Sequence, residues 1–319
     1  MTGRVYTVTL NPGLDRTLTV PAIRFDDVLR ASQSRLDWGG KGFNVSRTLQ
    51  VLGVESVAMG FLGGFTGQMM EQGLQSLDIG TDFVHIQEET RTNTVVIEAG
   101  RRRYVKVNEA GPHIPPAALD ALLRRVEQAA QPGDLWALCG SLPPGVPVDC
   151  YGDLIRRVQA VGARALLDTS GPALAAGLAA RPFLIKPNAA EAAELLARPV
   201  ASLEEQTQAV DALLAQGVAL VALSLGADGL LLAEAGRTVV ARPPQVVAQN
   251  PAGAGDALLA GLVWGLLQGA DLVELARLGV AAGTAAAMHQ GVATGTRHAV
   301  EELRSQVVVE TARRQTARR

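Results

Sequence analysis

The feature that most constrains the fold of this 319-residue chain is a change of hydrophobic period that recurs along most of its length. Short apolar runs such as "RVYTVTLN", "SVAMGFLGG", "DLWALCGS", "RALLDTSG", "FLIKPN" and "LVALSLGADG" read as buried strands. Between them lie longer runs with helical spacing: "GGKGFNVSRTLQVLG", "TGQMMEQGLQSLD", "PAALDALLRRVEQAAQ", "DCYGDLIRRVQAVG", "AAEAAELLAR" and "SLEEQTQAVDALLAQG". Strands that are apolar throughout must be covered on both faces, and a helix between each pair makes the connections crossovers. The expected fold class is α/β, a three-layer α/β/α core on a mostly parallel sheet.

Two stretches break this rhythm. Residues 13–38 alternate polar and apolar side chains without a helix, and residues 92–108, "TNTVVIEAGRRRYVKVN", read as a hairpin around "AGR". Together they predict a small separate sheet, inserted over about 13–38 and 88–108, as a lid over the carboxyl ends of the main strands. Ligands bind at that edge of an open parallel sheet. With no repeat or low-complexity linker, residues 1–305 are expected to form one domain. The remainder, 306–319, ends in "TARRQTARR" and is expected to be a solvated basic tail.

Composition narrows the function. Twenty-nine Lys and Arg stand against 31 Asp and Glu, a net charge of −2, which argues against nucleic acid or an anionic membrane as partner. No apolar run reaches the length of a membrane span; "ALLAGLVWGLLQGA" is the nearest and stops at Asp271. Two cysteines, Cys139 and Cys150, form no framework, and the N-terminus carries no cleavable apolar segment. A cytoplasmic protein is expected.

Several standard sites are missing. "GGKGF" has Arg35 where a P-loop needs its first glycine, and no G-x-G-x-x-G opens a helix after a strand. Neither H-E-x-x-H, nor paired C-x-x-C, nor G-x-S-x-G occurs.

The strongest positive signal is "GAGD", Gly253 to Asp256, at the head of the apolar run "ALLAGLVWG". Gly253 and Gly255 allow close backbone approach, and the following helix aims free N–H groups at the loop, an anion site. A carboxylate there repels an anion unless it accepts a proton from an attacking hydroxyl, which phosphoryl transfer requires beside the anion site. The competing reading of Asp256 is a plain N-cap. A second glycine-rich loop, "WGGKGFN", offers Gly39, Gly40, Lys41 and Asn44 to sugar hydroxyls or a phosphate, or else is a turn with a solvated lysine. "TLNPGLDRT" sets Asp15 just past the first strand. "IKPNAAE" groups Lys186, Asn188 and Glu191, which suits Mg²⁺ held through waters and phosphates, or equally a capping box. "SLGADG", Ser224 to Gly229, is a strand-end turn that either passes a nucleotide or closes a hairpin. Of the basic residues in the lid, Arg91 and Arg103 are the candidates to clamp a substrate phosphate.

In their order along the chain these motifs resemble the ribokinase-like (PfkB) family of carbohydrate kinases over roughly residues 4–300. "GGKGFNVSRTL" resembles that family's N-terminal signature and "NPAGAGDALLAGLVWG" its C-terminal one. The combination of "TLNPGLDRT", "GSLPPGVP" and "IKPN" resembles the branch acting on phosphofructose and phosphotagatose. The chain departs from the usual C-terminal pattern at Ala252, commonly valine, and at Ala257, often serine or threonine. The resemblance implies ATP and Mg²⁺, and a ketohexose phosphate as acceptor: fructose 1-phosphate first, with tagatose 6-phosphate or fructose 6-phosphate as alternatives. A non-catalytic sugar-phosphate sensor is the alternative outside the class. By the resemblance Asp256 is the base, and the N–H groups of Gly253, Ala254 and Gly255 form the anion hole. Asp15, Gly39, Gly40, Lys41, Asn44, Arg91, Arg103 and Ser141 hold the sugar phosphate. Lys186, Asn188, Ser224, Gly226 and Gly229 line the nucleotide side, and Glu191 serves the metal. A homodimer through the lid sheet is expected.

Overall fold

The apolar runs fold as strands whose residues alternate between two separate cores. In the strand Leu135–Cys139, Trp136 and Leu138 face one core while Leu135, Ala137 and Cys139 face the other. Period-2 alternation on a sheet covered twice produces this division. The computed structural model describes residues 3–100, 103–249, 252–289 and 295–311.

In chain order the strands and helices begin with β1 (Val5–Thr9), β2 (Gly13–Val20), β3 (Gln33–Gly39), α1 (Lys41–Val51), β4 (Val57–Gly63), α2 (Gly64–Gln75), β5 (Gly80–Ile86), β6 (Arg91–Glu98) and β7 (Tyr104–Val107). The middle holds α3 (Pro116–Ala129), β8 (Leu135–Cys139), α4 (Cys150–Ala160), β9 (Arg164–Asp168), α5 (Gly171–Leu178), β10 (Leu184–Ile185), α6 (Ala189–Leu196) and α7 (Leu203–Leu214). Then come β11 (Leu220–Ser224), β12 (Leu230–Glu234), β13 (Arg237–Arg242), α8 (Ala254–Gln268), α9 (Leu272–Ala287), α10 (Arg297–Gln306) and β14 (Val308–Thr311).

The large sheet has the order β14-β13-β12-β11-β10-β9-β8-β1-β4-β5. From β5 to β11 every neighbouring pair is parallel; β12, β13 and β14 add antiparallel at one edge. Side chains of α3 to α7 pack in the core on one face, and those of α1, α8, α9 and α10 in the core on the other. This is the expected α/β/α sandwich. α8 is unusual in being buried continuously from Asp256 to Leu266, so its sequence shows little amphipathic period.

The second sheet has the order β3-β2-β6-β7, drawn from the two stretches that break the α/β rhythm. Leu14 and Trp38 anchor its inner end to a small core with Phe43, Met70 and Phe83. Residues 308–311, within the stretch expected to be a solvated tail, instead pair with β13 and extend the large sheet. The rest of that tail, 312–319, lies outside the described residues, as do Arg101, Arg102, Asn250 and Pro251. Among the described residues no helix is long and apolar enough to cross a membrane.

Candidate active site

The carboxyl ends of β1, β8, β9, β10 and β11 share one edge of the large sheet, and α8 begins there. Gly253 is its N-cap residue, with φ 84° and ψ −10°, a left-handed conformation that glycine adopts without strain. Ala257 N donates to Gly253 O (2.9 Å), the first bond of the helix, so the N–H groups of Ala254, Gly255 and Asp256 have no partner within it. No side chain caps them. Asp256 lies in this first turn without acting as a cap: its Oδ2 accepts from Asn44 Nδ2 at 2.8 Å, across from α1. It is 7% exposed. Burial first, then the negative charge of Asp168, pushes its carboxyl up to about 7, against the opposing effects of Asn44, Lys41 and Lys186.

Asp168, the last residue of β9, is fully buried. Its Oδ1 accepts from Lys41 Nζ at 2.9 Å, and its Oδ2 lies 3.1 Å from Lys186 Nζ. Burial alone would raise this carboxyl, but Lys186 and Lys41 outweigh it and hold Asp168 below the ordinary aspartate range. Burial would likewise lower Lys41, yet Asp168 prevails and holds it above ordinary lysine. Lys186 Nζ reaches the head of α8: a Cβ added at Gly255 would lie 3.4 Å from it. One added at Gly253 would lie 4.0 Å from Asn44 Nδ2. Asp256, Asn44, Lys41, Lys186 and the Gly253–Gly255 turn therefore form one cluster.

A neighbouring group sits on the lid. Asp15 and Asn93 are cross-strand partners on β2 and β6, and Asn93 Nδ2 donates to Asp15 Oδ1 at 2.8 Å. Burial raises the Asp15 carboxyl above its usual range, with the Asn93 bond opposing. Gly39 lies so close that any Cβ there would overlap Asp15 Oδ2. Arg91 donates from Nη1 to Glu109 O and from Nη2 to Asn11 O, both at 2.9 Å. The Asn11 side chain in turn bonds Ala110 O and Ser141 Oγ, which brings Ser141 at the end of β8 into the same group. Gly40 is the N-cap residue of α1, directly between Gly39 and Lys41.

On the other side, Asn188 and Glu191 form a reciprocal capping box on α6, Oδ1 accepting from Glu191 N and Oε2 from Asn188 N, each at 2.9 Å. The capping alternative is thus realised; Glu191 keeps its second carboxylate oxygen, and its charge still acts on Lys41. Ser224 bridges to Asn188 beside it, and Gly226 and Gly229 (φ 60° and 97°) turn the chain from β11 into the antiparallel β12.

Arg103 is not brought to the cluster. Its Nη1 lies 3.7 Å from Glu98 Oε2, and its side chain is 63% exposed. Glu98 stands five residues along β6 from Asn93, about 17 Å at strand rise. Three contributors have no role assigned from the sequence: Asn11, Asn93 and Asp168. The available signal for Asp168 was a carboxylate closing the apolar strand run "RALLD".

A carboxylate that ionises near neutrality, beside uncapped N–H groups and two ammonium groups, is suited to taking a proton next to an anion in transfer. Comparison with known proteins agrees in kind. The sequence pattern of the pfkB family carbohydrate kinases matches residues 10–299. The 1-phosphofructokinase of Rhodobacter capsulatus is 38% identical over 282 residues, 88% of this chain and 89% of that one. That of Bacillus subtilis is 35% identical over 305 residues, 96% and 99% of the two chains. The crystal structure of phosphofructokinase-2 from Escherichia coli in complex with substrates and products superposes with a TM-score of 0.90 at 30% identity, covering 95% of this chain and 99% of that one. The chain is thus a member of the pfkB family of carbohydrate kinases, enzymes that phosphorylate sugars from ATP.

Proposed function

We propose that the protein transfers the γ-phosphoryl group of ATP directly to a hydroxyl of fructose 1-phosphate, giving fructose 1,6-bisphosphate. The observation that carries this reading is Asp256: a nearly buried carboxylate, ionising at about 7, in the first turn of a helix with no side-chain cap. In the proposed step Asp256 accepts the hydroxyl proton while the sugar oxygen bonds to the γ-phosphorus. The bond from that phosphorus to the β–γ bridging oxygen breaks in line, and ADP leaves. The N–H groups of Gly253, Ala254 and Gly255 receive the charge of the transferred group, as do Lys41 and Lys186. Asp15, Gly39, Gly40, Asn44 and Ser141 would hold the sugar. Arg91 engages one hydrogen on each Nη and keeps the others for the sugar phosphate. Lys186, Asn188, Ser224, Gly226 and Gly229 would line the nucleotide.

Mg²⁺ is part of this proposal. Among the described residues no three His, Cys, Asp or Glu gather as a metal cage. A single carboxylate, the free oxygen of Glu191, fits an ion held mostly by phosphate oxygens and water, where it would neutralise the β- and γ-phosphate charge.

The choice of fructose 1-phosphate is supported by relatives named 1-phosphofructokinase at 33–38% identity. A similar fold has been solved with fructose 6-phosphate in the Escherichia coli phosphofructokinase-2, which keeps the 6-phosphates in the test. A homodimer is proposed through the lid. In the registers of β2, β6 and β7, Leu18, Leu36, Val96, Val105 and Val107 share the face opposite Asp15, and Leu36, Val105 and Val107 are exposed. A cytoplasmic location accords with two free, buried cysteines.

A coupled ADP-release assay across fructose 1-phosphate, tagatose 6-phosphate, fructose 6-phosphate and ribose tests the substrate. The highest kcat/KM is expected for fructose 1-phosphate; a higher value for a 6-phosphate or for ribose reassigns it. Tight binding without ADP release would instead mark a sensor.

A further inference from the structure

A negative charge under a polyphosphate site is unfavourable in itself, yet Asp168 is fully buried there. Its two closest cationic neighbours come from different elements: Lys41 heads α1, and Lys186 follows β10. Both side chains are long and flexible, and an ammonium on such a stem is poorly placed unless something fixes it. One carboxylate oxygen faces each: Oδ1 accepts a hydrogen bond from Lys41, and Oδ2 pairs with the Lys186 ammonium by charge at 3.1 Å. Lys186 thereby reaches Gly255, and Lys41 stays on the same first turn of α1 as Asn44, which holds Asp256.

We propose that Asp168 is a positioning residue: it acts on no reactant directly, but holds Lys41 and Lys186 as a cation pair at the head of α8, in place before nucleotide arrives. This rests on the phosphoryl-transfer reading of the site. A second consequence concerns Asp256. The charged groups facing it are Asp168 from β9, Lys41 from α1 and Lys186 after β10, with Glu191 of α6 acting on Lys41. The Cys139 thiol of β8 is driven well above its usual range by burial and stays neutral. Asp168 is thus the one negative charge that presses Asp256 upward, and removing it must move the ionisation of Asp256 down.

The test is Asp168→Asn, which keeps the shape and one acceptor oxygen. We expect KM for ATP to rise about tenfold and kcat/KM to fall about 10²-fold, the scale of losing a preorganised charge donor. The acid limb of kcat against pH should move down by about one pH unit, since one unit corresponds to a modest neighbouring charge. General loosening of the fold would wet Asp256 and lower that limb as well, so a double-mutant cycle separates the two. An unmoved limb with KM for ATP within twofold of wild type overturns the proposal. A double-mutant cycle with Lys186→Met checks the route: the double variant should lose clearly less than the product of the two single losses, the remainder reflecting Lys41, and fully multiplying losses overturn it. If Asp168→Asn folds poorly, the double variant leaves only the part-exposed Lys41 without its carboxylate, and its acid limb must lie below that of Lys186→Met. A wild type that turns over no ketose phosphate would refute the substrate assignment alone. Calorimetric titration of ATP into wild type and Asp168→Asn would still decide the inference, equal affinities counting against it.

Discussion

An aspartate that caps a helix and one held at a helix start as a base respond in opposite directions to Asp256→Asn. Removing a cap costs about 0.5–2 kcal/mol of stability. Asp256 makes no cap bond, is 7% exposed, and has its carboxyl pushed from 3.8 to about 7 by burial and then by Asp168. Below about pH 3.8 the carboxyl is protonated in the folded and unfolded chain alike. Between there and about 7 the unfolded chain releases its proton while the folded chain keeps it, so stability falls as pH rises. Above about 7 the full cost of a buried charge is present. At about 1.36 kcal/mol per unit, that cost is on the order of 4 kcal/mol at pH 8, with about 3 kcal/mol of it accruing between pH 5 and pH 8. Asparagine carries no charge and still offers an oxygen to Asn44 Nδ2. The variant is therefore expected to be more stable than wild type by a few kcal/mol at pH 8, with the advantage shrinking toward pH 4. Its kcat should fall on the order of 10²-fold or more. Urea denaturation followed by circular dichroism at pH 5 and pH 8, alongside ADP release, measures both. A variant less stable than wild type at pH 8, with turnover within a few-fold, would show that Asp256 is structural.

Asn44→Ala removes the hydrogen bond that favours ionised Asp256, so the acid limb of kcat should move up by about one pH unit, opposite to Asp168→Asn; an unmoved or lowered limb refutes that part. Gly39→Ala drives a methyl into Asp15 Oδ2, and KM for the sugar phosphate is expected to rise about tenfold or more while KM for ATP holds. Equal rises in both would mean that Asp15 is not dedicated to the sugar. Val107→Asp puts a charge on the apolar lid face, and sedimentation velocity is expected to show a wild-type dimer and a monomeric variant. An unchanged sedimentation coefficient moves the interface elsewhere.

The sheet and its covering helices were legible because burial on both faces leaves strands apolar throughout and the helices between them amphipathic. The lid was legible for the complementary reason: strands with solvent on one side alternate. The glycine turn before Asp256 was legible as an unusual helix start. Asp168 was not, because a carboxylate at a strand end reads as any turn residue, and its two lysines become neighbours only through the order of β9, β10 and α1 in space. Asn93 was hidden by being one polar residue in an alternating strand. Arg103 lies apart from the cluster for a metric reason: its Glu98 partner and Asn93 are close in sequence but far apart along an extended strand. Residues 308–311 looked like the start of a charged tail, since four residues are too few to show a period.

The capping of the helices around the site bears on how the charge of a transferred phosphoryl is shared. α6 starts at the same sheet edge as α8, yet its N-terminus is closed by the capping box of Asn188 and Glu191. Those groups are already satisfied, and the carboxylate of Glu191 adds a negative charge there. α1 and α8 instead start from Gly40 and Gly253, and neither has a side-chain cap. Leaving a helix start uncapped forgoes about 1 kcal/mol, and Asp256 stands in the first turn of α8 with its carboxylate directed at Asn44 rather than at its own helix. On the proposed function, an uncapped helix beside a capped one would divide the edge in two: the α8 side would accept the anion, while the α6 side would present an oxygen suited to a hydrated cation. Attraction at α8 and repulsion at Glu191 would together orient a polyphosphate with its terminal group toward Asp256. That polarity is what the proposed direct transfer, to a sugar that Asp15 and Asn44 would hold, requires.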